Sequence, residues 1–124
     1  MLNGKGLFVW HDDRLYLGDW KDNMMHGEGV YKWGDGRIFL GNYVDDRKSG
    51  MGCYLWADSR AYNGEWLAGK QHGTGYYIVP DNTSQQLKIK KGQWINGKRQ
   101  EWKDECTEEE KEIQKAKYHE MYSI

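Results

Sequence analysis

The sequence has little of what builds or interrupts an ordinary compact domain: its 124 residues include one proline, two phenylalanines and two cysteines. No apolar stretch approaches the ~20 residues that a membrane-spanning helix needs. Cys53 and Cys106 have neither paired spacing nor metal-ligand companions, so we expect free thiols in a reducing compartment. These absences argue against a disulfide scaffold and against a transmembrane helix.

The chain also lacks a net charge of either sign. Its 18 Lys and Arg nearly balance its 19 Asp and Glu, which gives a formal charge of −1. Nucleic-acid binders usually carry a basic excess, and so do segments that bind anionic membranes by charge alone. The composition therefore predicts no nucleic-acid partner and weakens the case for a membrane partner.

Glycine and amphipathic aromatic residues are abundant instead, with 16 Gly, seven Trp and nine Tyr. Large rings must supply most of the apolar burial, because aliphatic residues are few. Glycine permits close backbone approach, and aromatic residues favour strands. The mixture is typical of closely packed β-hairpins.

These residues recur with one period. Gly-x-Gly pairs begin at Gly4, Gly27, Gly50 and Gly73, so that each step is 23 residues. The same step relates Tyr16, Phe39 and Tyr62; Phe8, Tyr31 and Tyr54; Trp10, Trp33 and Trp56; Asp12, Asp35 and Asp58; and Arg14, Arg37 and Arg60. Several rows with one period indicate a repeat protein whose units stack on one another.

One unit predicts a hairpin. A strand runs from the glycine pair to the Trp, a tight turn such as Asp35-Gly36 follows, and a second strand returns. A polar loop, for example 21–26, then leads to the next unit.

The sequence leaves the length of the first turn open. A two-residue turn would place Phe8, Trp10, Leu15 and Leu17 on one face of the sheet, whereas a three-residue turn would shift this pairing.

The end of the chain departs from the repeat. The fourth unit is interrupted by an insertion at about residues 80–88, and Glu101 stands where the next glycine is due, so we expect the sheet to stop there. Thr107 and Glu110 form a capping-box pattern that predicts a helix over about 107–121.

The predicted fold class is thus mainly β: a single-layer antiparallel sheet of consecutive 23-residue β-hairpins with a C-terminal α-helix. The predicted domains are a hairpin array over 1–100 and an acidic segment with the helix over 101–124. The helix is expected to fold back on the last hairpin, with docking on a partner as the alternative. The basic stretch 88–99 next to the acidic stretch 101–112 suggests either a clamp between hairpin and helix or a polar partner contact.

The residues 62–76 are very similar to the MORN repeat (membrane occupation and recognition nexus), and 16–30 match nearly as well. The resemblance covers about residues 4–100, although Tyr43 replaces the usual Trp and 45–49 lack the usual Gly and His. It implies an elongated, slightly curved antiparallel sheet and little about chemistry. MORN arrays occur in ciliary and cytoskeletal scaffolds and beside kinase or methyltransferase domains, which carry the catalysis themselves.

No catalytic, cofactor-binding or metal site emerges from the sequence. His26 and His72 share a repeat position, but two repeats separate them by roughly 19 Å, far beyond the reach of one metal ion. They are predicted to bond backbone in the loops. The glycine pairs lack the helix that a phosphate-binding loop requires, so backbone packing explains them better.

The aromatic rows are the candidate partner-binding residues, because exposed rings offer binding hot spots. They also have a purely structural explanation, since they can stack and hold the hairpins together. The candidates are Phe8, Trp10, Tyr31, Trp33, Tyr54, Trp56, Tyr16, Phe39 and Tyr62.

Arg14, Arg37 and Arg60 form the candidate lipid-binding row, since a line of guanidinium groups suits phosphates. An Asp lies two residues before each of them, which favours local pairing over lipid binding.

The predicted function is a non-enzymatic scaffold or adaptor. It would bind protein partners through the aromatic sheet face, an open N-terminal edge at Gly4 or the C-terminal helix. The family resemblance suggests a cytoplasmic protein of a cytoskeletal or ciliary (axonemal) assembly. The alternatives are a phospholipid-binding module and the accessory region of a larger enzyme. No cofactor and no small-molecule substrate are expected.

Overall fold

The computed structural model describes residues 2–81, 83–84, 86–103 and 106–124. These residues form one antiparallel sheet in which each strand pairs with its neighbours in chain order, followed by one helix, α1, over Glu108–Tyr122. The strands are β1 Gly4–Val9, β2 Leu15–Lys21, β3 Met24–Lys32, β4 Ile38–Val44, β5 Arg47–Leu55, β6 Ala61–Leu67, β7 Lys70–Pro80, β8 Leu87–Ile95 and β9 Lys98–Lys103. The predicted fold class is confirmed.

The turn inside each of the first three units has three residues. The Trp10 amide donates to the Arg14 carbonyl at 2.8 Å, and Asp13 adopts a left-handed φ of 69°. Gly36 and Ser59 take the same conformation in the next two units. This is the three-residue hairpin in which a type I turn is followed by a left-handed residue.

The longer turn settles which residues share a face. Phe8 lies opposite Tyr16, while Leu7 lies opposite Leu17. The grouping of Phe8 with Leu15 and Leu17, which a two-residue turn would have produced, is therefore wrong. All the aromatic rows of the repeat lie on one face instead.

The connection between units is a two-residue turn, much shorter than the predicted polar loop over 21–26. Asp22 and Asn23 have φ of 51° and 66°, and Met24 already belongs to β3. Positive φ at both central residues defines the type I′ turn, whose twist matches that of paired strands. The equivalent turns lie at 45–46, 68–69 and 96–97.

An aromatic ring lies against each cross-strand glycine pair. Gly18 lies opposite Gly29, and a Cβ added to Gly29 would be 2.3 Å from the Tyr16 hydroxyl oxygen. A Cβ added to Gly18 would be 2.5 Å from the Gly29 Cα. Phe39 and Tyr62 occupy the equivalent places at the next two glycine pairs. The spacing aromatic-x-Gly thus places a ring directly on its own backbone.

The two faces of the sheet have different cores, because successive side chains of a strand point to opposite sides. The aromatic face buries Tyr16, Trp20, Tyr31, Phe39, Tyr43, Tyr62, Trp66 and Trp94. The aliphatic face buries Ile38, Cys53, Leu55, Ala61 and Ile78 beneath Tyr118 and Met121 of α1.

Helix α1 begins after the N-cap Thr107, which forms the predicted capping box with Glu110. It folds back on the sheet as expected, but it reaches beyond the last hairpin to β5, because the aliphatic residues that need a cover lie in the middle of the sheet. The Asn63 amide donates to Gln114 at 2.7 Å, and the Tyr118 hydroxyl donates to the Ser59 carbonyl at 2.8 Å.

The suggested charge clamp has one ion pair, in which Lys91 Nζ of β8 lies 3.0 Å from the Glu110 carboxylate. The Tyr76 hydroxyl donates to the same carboxylate. Asp104 and Glu105 of the predicted acidic stretch lie outside the described residues.

The fourth unit also differs from its prediction. Pairing of β7 with β8 continues to Pro80 and Leu87, so the interruption lengthens a hairpin; Asn82 and Gln85 of the expected insertion lie outside the described residues. The sheet does not stop at Glu101, because β9 continues to Lys103. A register shift next to Trp94 places Trp102 opposite Gly92, where a ring can pack without a second glycine.

Substitution of Gly29 tests the contact between ring and glycine. We expect Gly29→Ala to destabilise the protein by about 3 kcal/mol, because neither the Tyr16 ring nor the opposite strand can move away freely. The matched control is Gly34→Ala, whose added Cβ would meet its nearest atoms at 3.5 Å. Urea unfolding followed by tryptophan fluorescence measures both, and equal stabilities of the two variants would contradict the account.

Docking of α1 can be measured through Cys53, which burial beneath the helix keeps as a thiol by raising its pKa to about 12. In a Cys106→Ser background, we expect Met121→Asp to undock the helix and to accelerate thiol modification at least about tenfold.

The matched control is Ile113→Asp, because Ile113 is 58% exposed on the same helix whereas Met121 is fully buried. Modification by a chromogenic disulfide reagent gives the rates. A Met121→Asp rate no faster than that of the control would show that α1 does not protect Cys53.

Candidate partner-binding face

The structure brings all nine predicted aromatic residues onto the aromatic face but divides them by exposure. Tyr16, Phe39 and Tyr62 are completely buried, and Tyr31 is nearly so. The half-exposed members are Phe8, Trp10, Trp33, Tyr54 and Trp56.

The fully buried rings serve the core. The Tyr16 ring meets Trp20 edge to face at a centroid distance of 5.0 Å and meets Tyr43 at 5.4 Å. Its hydroxyl donates to the Asp19 carbonyl at 2.9 Å, and burial raises its pKa to about 12. Tyr62 repeats the bond to Glu65 at 3.0 Å. With both ring and hydroxyl covered, these residues have no surface for a partner.

The half-exposed rings form a continuous line. Tyr31 lies 5.4 Å from Trp10 and 4.4 Å from Trp33, and Tyr54 lies 5.6 Å from Trp33 and 5.0 Å from Trp56. We call this line, with its two ends, the outer ladder: Phe8, Trp10, Tyr31, Trp33, Tyr54, Trp56, Tyr77 and Trp102. Tyr77 and Trp102 extend it into the fourth unit, where the sequence pattern weakens.

The arginine row lies beside the ladder, and its charges are already paired. Arg37 Nε lies 2.9 Å from the Asp35 carboxylate, and its guanidinium carbon lies 4.8 Å from the centre of the Trp33 ring. Arg14 and Arg60 make the equivalent ion pairs at 2.8 and 2.7 Å. The Arg37 hydrogen bond lowers the pKa of Asp35. The predicted local pairing is confirmed.

Lys48 occupies a cage of rings that the sequence did not single out. Its Nζ lies 5.2 Å from the centre of the Phe39 ring and 5.7 to 5.8 Å from those of Trp33, Tyr54 and Trp66. Burial, and secondarily the charge of Arg37, lower its pKa. None of the ion pairs between described residues includes Lys48.

The same cage recurs with the repeat. Met25 lies 23 residues before Lys48 and opposite Trp20, and Gln71 lies 23 residues after it and opposite Trp66. We call the resulting ring sets cells one to three: Trp10, Tyr16, Tyr31 and Tyr43 around Met25; Trp33, Phe39, Tyr54 and Trp66 around Lys48; and Trp56, Tyr62, Tyr77 and Trp94 around Gln71. This column was visible in the sequence as three positions on the common step, but their unlike chemistry concealed it.

The third cell opens into a cavity of about 330 Å³. Its walls are Trp56, Gln71, Tyr77, Trp94, Arg99 and Trp102. Sequence reasoning had named only Trp56 among these residues.

The histidines have the structural role predicted for them. Nδ1 of His26 accepts from the Asp45 amide and Nδ1 of His72 from the Asn96 amide, both at 3.5 Å. Among the residues that the structure describes, no group of three His, Cys, Asp or Glu side chains is placed to hold a metal ion. The described part of the chain also has no helix with the length and apolar character needed to span a membrane.

The MORN repeat family model matches residues 16–36, 39–59, 62–84 and 91–100, which is more than half of the chain. The chain therefore belongs to the MORN repeat family, as the repeated motif predicted. The matched segments follow the hairpin units of the sheet. No curated protein gives a significant match to the chain. Membership defines a repeat module of a kind that generally binds other molecules rather than catalysing reactions.

Replacement of Lys48 tests the cage. We expect Lys48→Met, which places the side chain of cell one in cell two, to raise the Tm at pH 7 by about 3 °C, because an unpaired ammonium leaves the cage. A lowered pKa means that the folded protein releases this proton before the unfolded chain does. Wild type should therefore gain stability relative to Lys48→Met as the pH rises from 7 to 10.

Thermal unfolding at both pH values measures this gap, with the exposed Lys98→Met as the control. A gap between wild type and Lys48→Met that does not narrow with pH would contradict burial of a charged Lys48.

Proposed function

We propose that this chain is a non-enzymatic scaffold or adaptor that binds a protein partner along the outer ladder. The observation that carries the proposal is a continuous line of half-exposed rings on a face that no other described element covers. Helix α1 packs on the opposite face.

The composition of the ladder suits protein recognition. Trp, Tyr and Arg are the residues that most often dominate binding energy at interfaces. Here Arg14, Arg37 and Arg60 are held in place by their aspartates and stack on the ladder rings. The partner would meet groups that are already ordered, so binding would cost little conformational entropy.

The geometry favours an extended partner segment. Two strands per unit separate equivalent rings by roughly 10 Å, so Trp10, Trp33 and Trp56 span about 20 Å along the sheet. A partner strand or helix that runs across the units could contact all three rings. Concave repeat surfaces commonly bind in this way.

The other proposed routes receive less support. Tyr118 and Met121 of α1 are buried on the sheet, which leaves mainly Ile113 and Tyr122 as apolar residues for a partner. Strand β1 has a single neighbour in the described sheet, so its outer edge is free to pair. Phospholipid binding is weaker because the arginine row is engaged. A cytoskeletal or ciliary setting in the cytoplasm, and attachment to a larger enzyme, rest on family usage alone.

The experiment starts from a partner that co-purifies with the wild-type protein, is identified by mass spectrometry and is then purified. Titration calorimetry compares its affinity for wild type, Trp33→Ala and Trp56→Ala. We expect each substitution to weaken binding at least about tenfold, as loss of an aromatic hot spot does.

The matched control is Leu17→Ala, because Leu17 is 54% exposed on the aliphatic face. Circular dichroism establishes that each variant is folded. Unchanged affinity of both folded Trp variants would refute binding along the ladder, and a selective loss in Leu17→Ala would move the interface to the aliphatic face.

A further inference from the structure

The three cells are alike in their rings and differ in what fills them. Met25 packs against the rings of cell one, and the butyl chain and ammonium of Lys48 fill cell two. Each is a long, unbranched side chain. The first two repeats thus show what kind of group such a cell accommodates.

Cell three has no such filling. Gln71 is shorter and polar, and a cavity of about 330 Å³ lies against its side chain, bounded by Trp56, Tyr77 and Trp94. Trp102 of β9 forms the outer wall. The space corresponds to the place that Met25 and Lys48 fill in their own cells.

The mouth of cell three is basic. The Arg99 guanidinium lies 4.4 Å and the Lys90 ammonium 5.3 Å from the centre of the Trp102 ring. Neither Arg99 nor Lys90 takes part in an ion pair between described residues, in contrast to Arg14, which is held by Asp12. Residues 88–99 contain five Lys and Arg and no acidic residue, so no counter-charge is supplied locally.

We propose that cell three binds a methionine, or a comparable unbranched apolar side chain, from an acidic segment of a protein partner. This inference rests on the proposed function and names the chemistry of its partner. The apolar chain takes the place that Met25 takes in cell one, with its sulfur against the rings. Carboxylates beside it pair with Arg99 and Lys90, which equally disfavour a lysine from the partner.

Gln71→Met is the sharpest test, because it fills cell three with the residue that cell one already uses. The probe is the acetylated, amidated peptide Glu-Asp-Glu-Met-Glu-Asp-Glu, followed by the indole N–H signals of the protein in two-dimensional NMR. We expect the signals of Trp56, Trp94 and Trp102 to shift with wild type, and those of Trp10 and Trp20 to stay unchanged.

Three comparisons accompany this titration. Replacement of the peptide Met by Ser should weaken binding at least about tenfold, since the apolar contact is lost. Gln71→Met should abolish the shifts while its Tm equals or exceeds that of wild type. Arg99→Gln should retain the same shifting signals but bind more weakly and with less dependence on salt.

Equal binding of the peptide to wild type and Gln71→Met would overturn the inference, and so would equal binding of the Met and Ser peptides. Binding of wild type to phosphatidylserine vesicles, lost in Arg99→Gln and without any peptide shifts, would replace the partner with a lipid surface.

The purified partner separates this inference from the function on which it rests. Affinity lost in Trp33→Ala but retained in Gln71→Met would overturn the role of cell three and leave the ladder intact. Affinity retained in both variants would overturn the ladder as well.

Discussion

The rest of the structure depends on the close approach of two strands at each glycine pair, with an aromatic ring on top. A Cβ at Gly29 or Gly75 would lie 2.3 Å from a Tyr atom, so there is no room for any other residue. The ring buries one side on its own backbone and meets its neighbours edge to face. A single layer poor in aliphatic residues can thereby exclude water without a second sheet. The 23-residue period is the sequence record of this contact.

The same contact explains why the two faces differ. Rings that lie on their own backbone leave the aromatic face with little need for a cover, and its outer edge remains half-exposed. The aliphatic side chains stand away from the sheet and must be covered by α1. A helix of 15 residues spans about 22 Å, whereas nine strands span roughly 38 Å. Leu7 and Leu17 at the far end therefore remain exposed.

Repetition made the units, the hairpins and the helix predictable, because each depends on local pattern. Register was harder: a turn one residue longer moved Leu15 and Leu17 to the other face, and only the left-handed residue Asp13 decides the turn. Burial of Tyr16 against half-exposure of Trp10 was beyond the pattern, since both are aromatic and periodic. It follows from which of them lies over a glycine pair in three dimensions.

Departures from the repeat are where specificity can arise. Identical cells would bind identical groups, and a cell that is filled from within binds nothing. Met25 and Lys48 fill their cells, so the outer ladder there offers only its edges, whereas Gln71 leaves space between the same rings. The unit that the insertion distorts also lacks the aspartate that pairs each earlier arginine, and Arg99 faces the space from β9. A partner that must find one register along a repetitive sheet needs one cell unlike the others, and the third cell differs in both volume and charge.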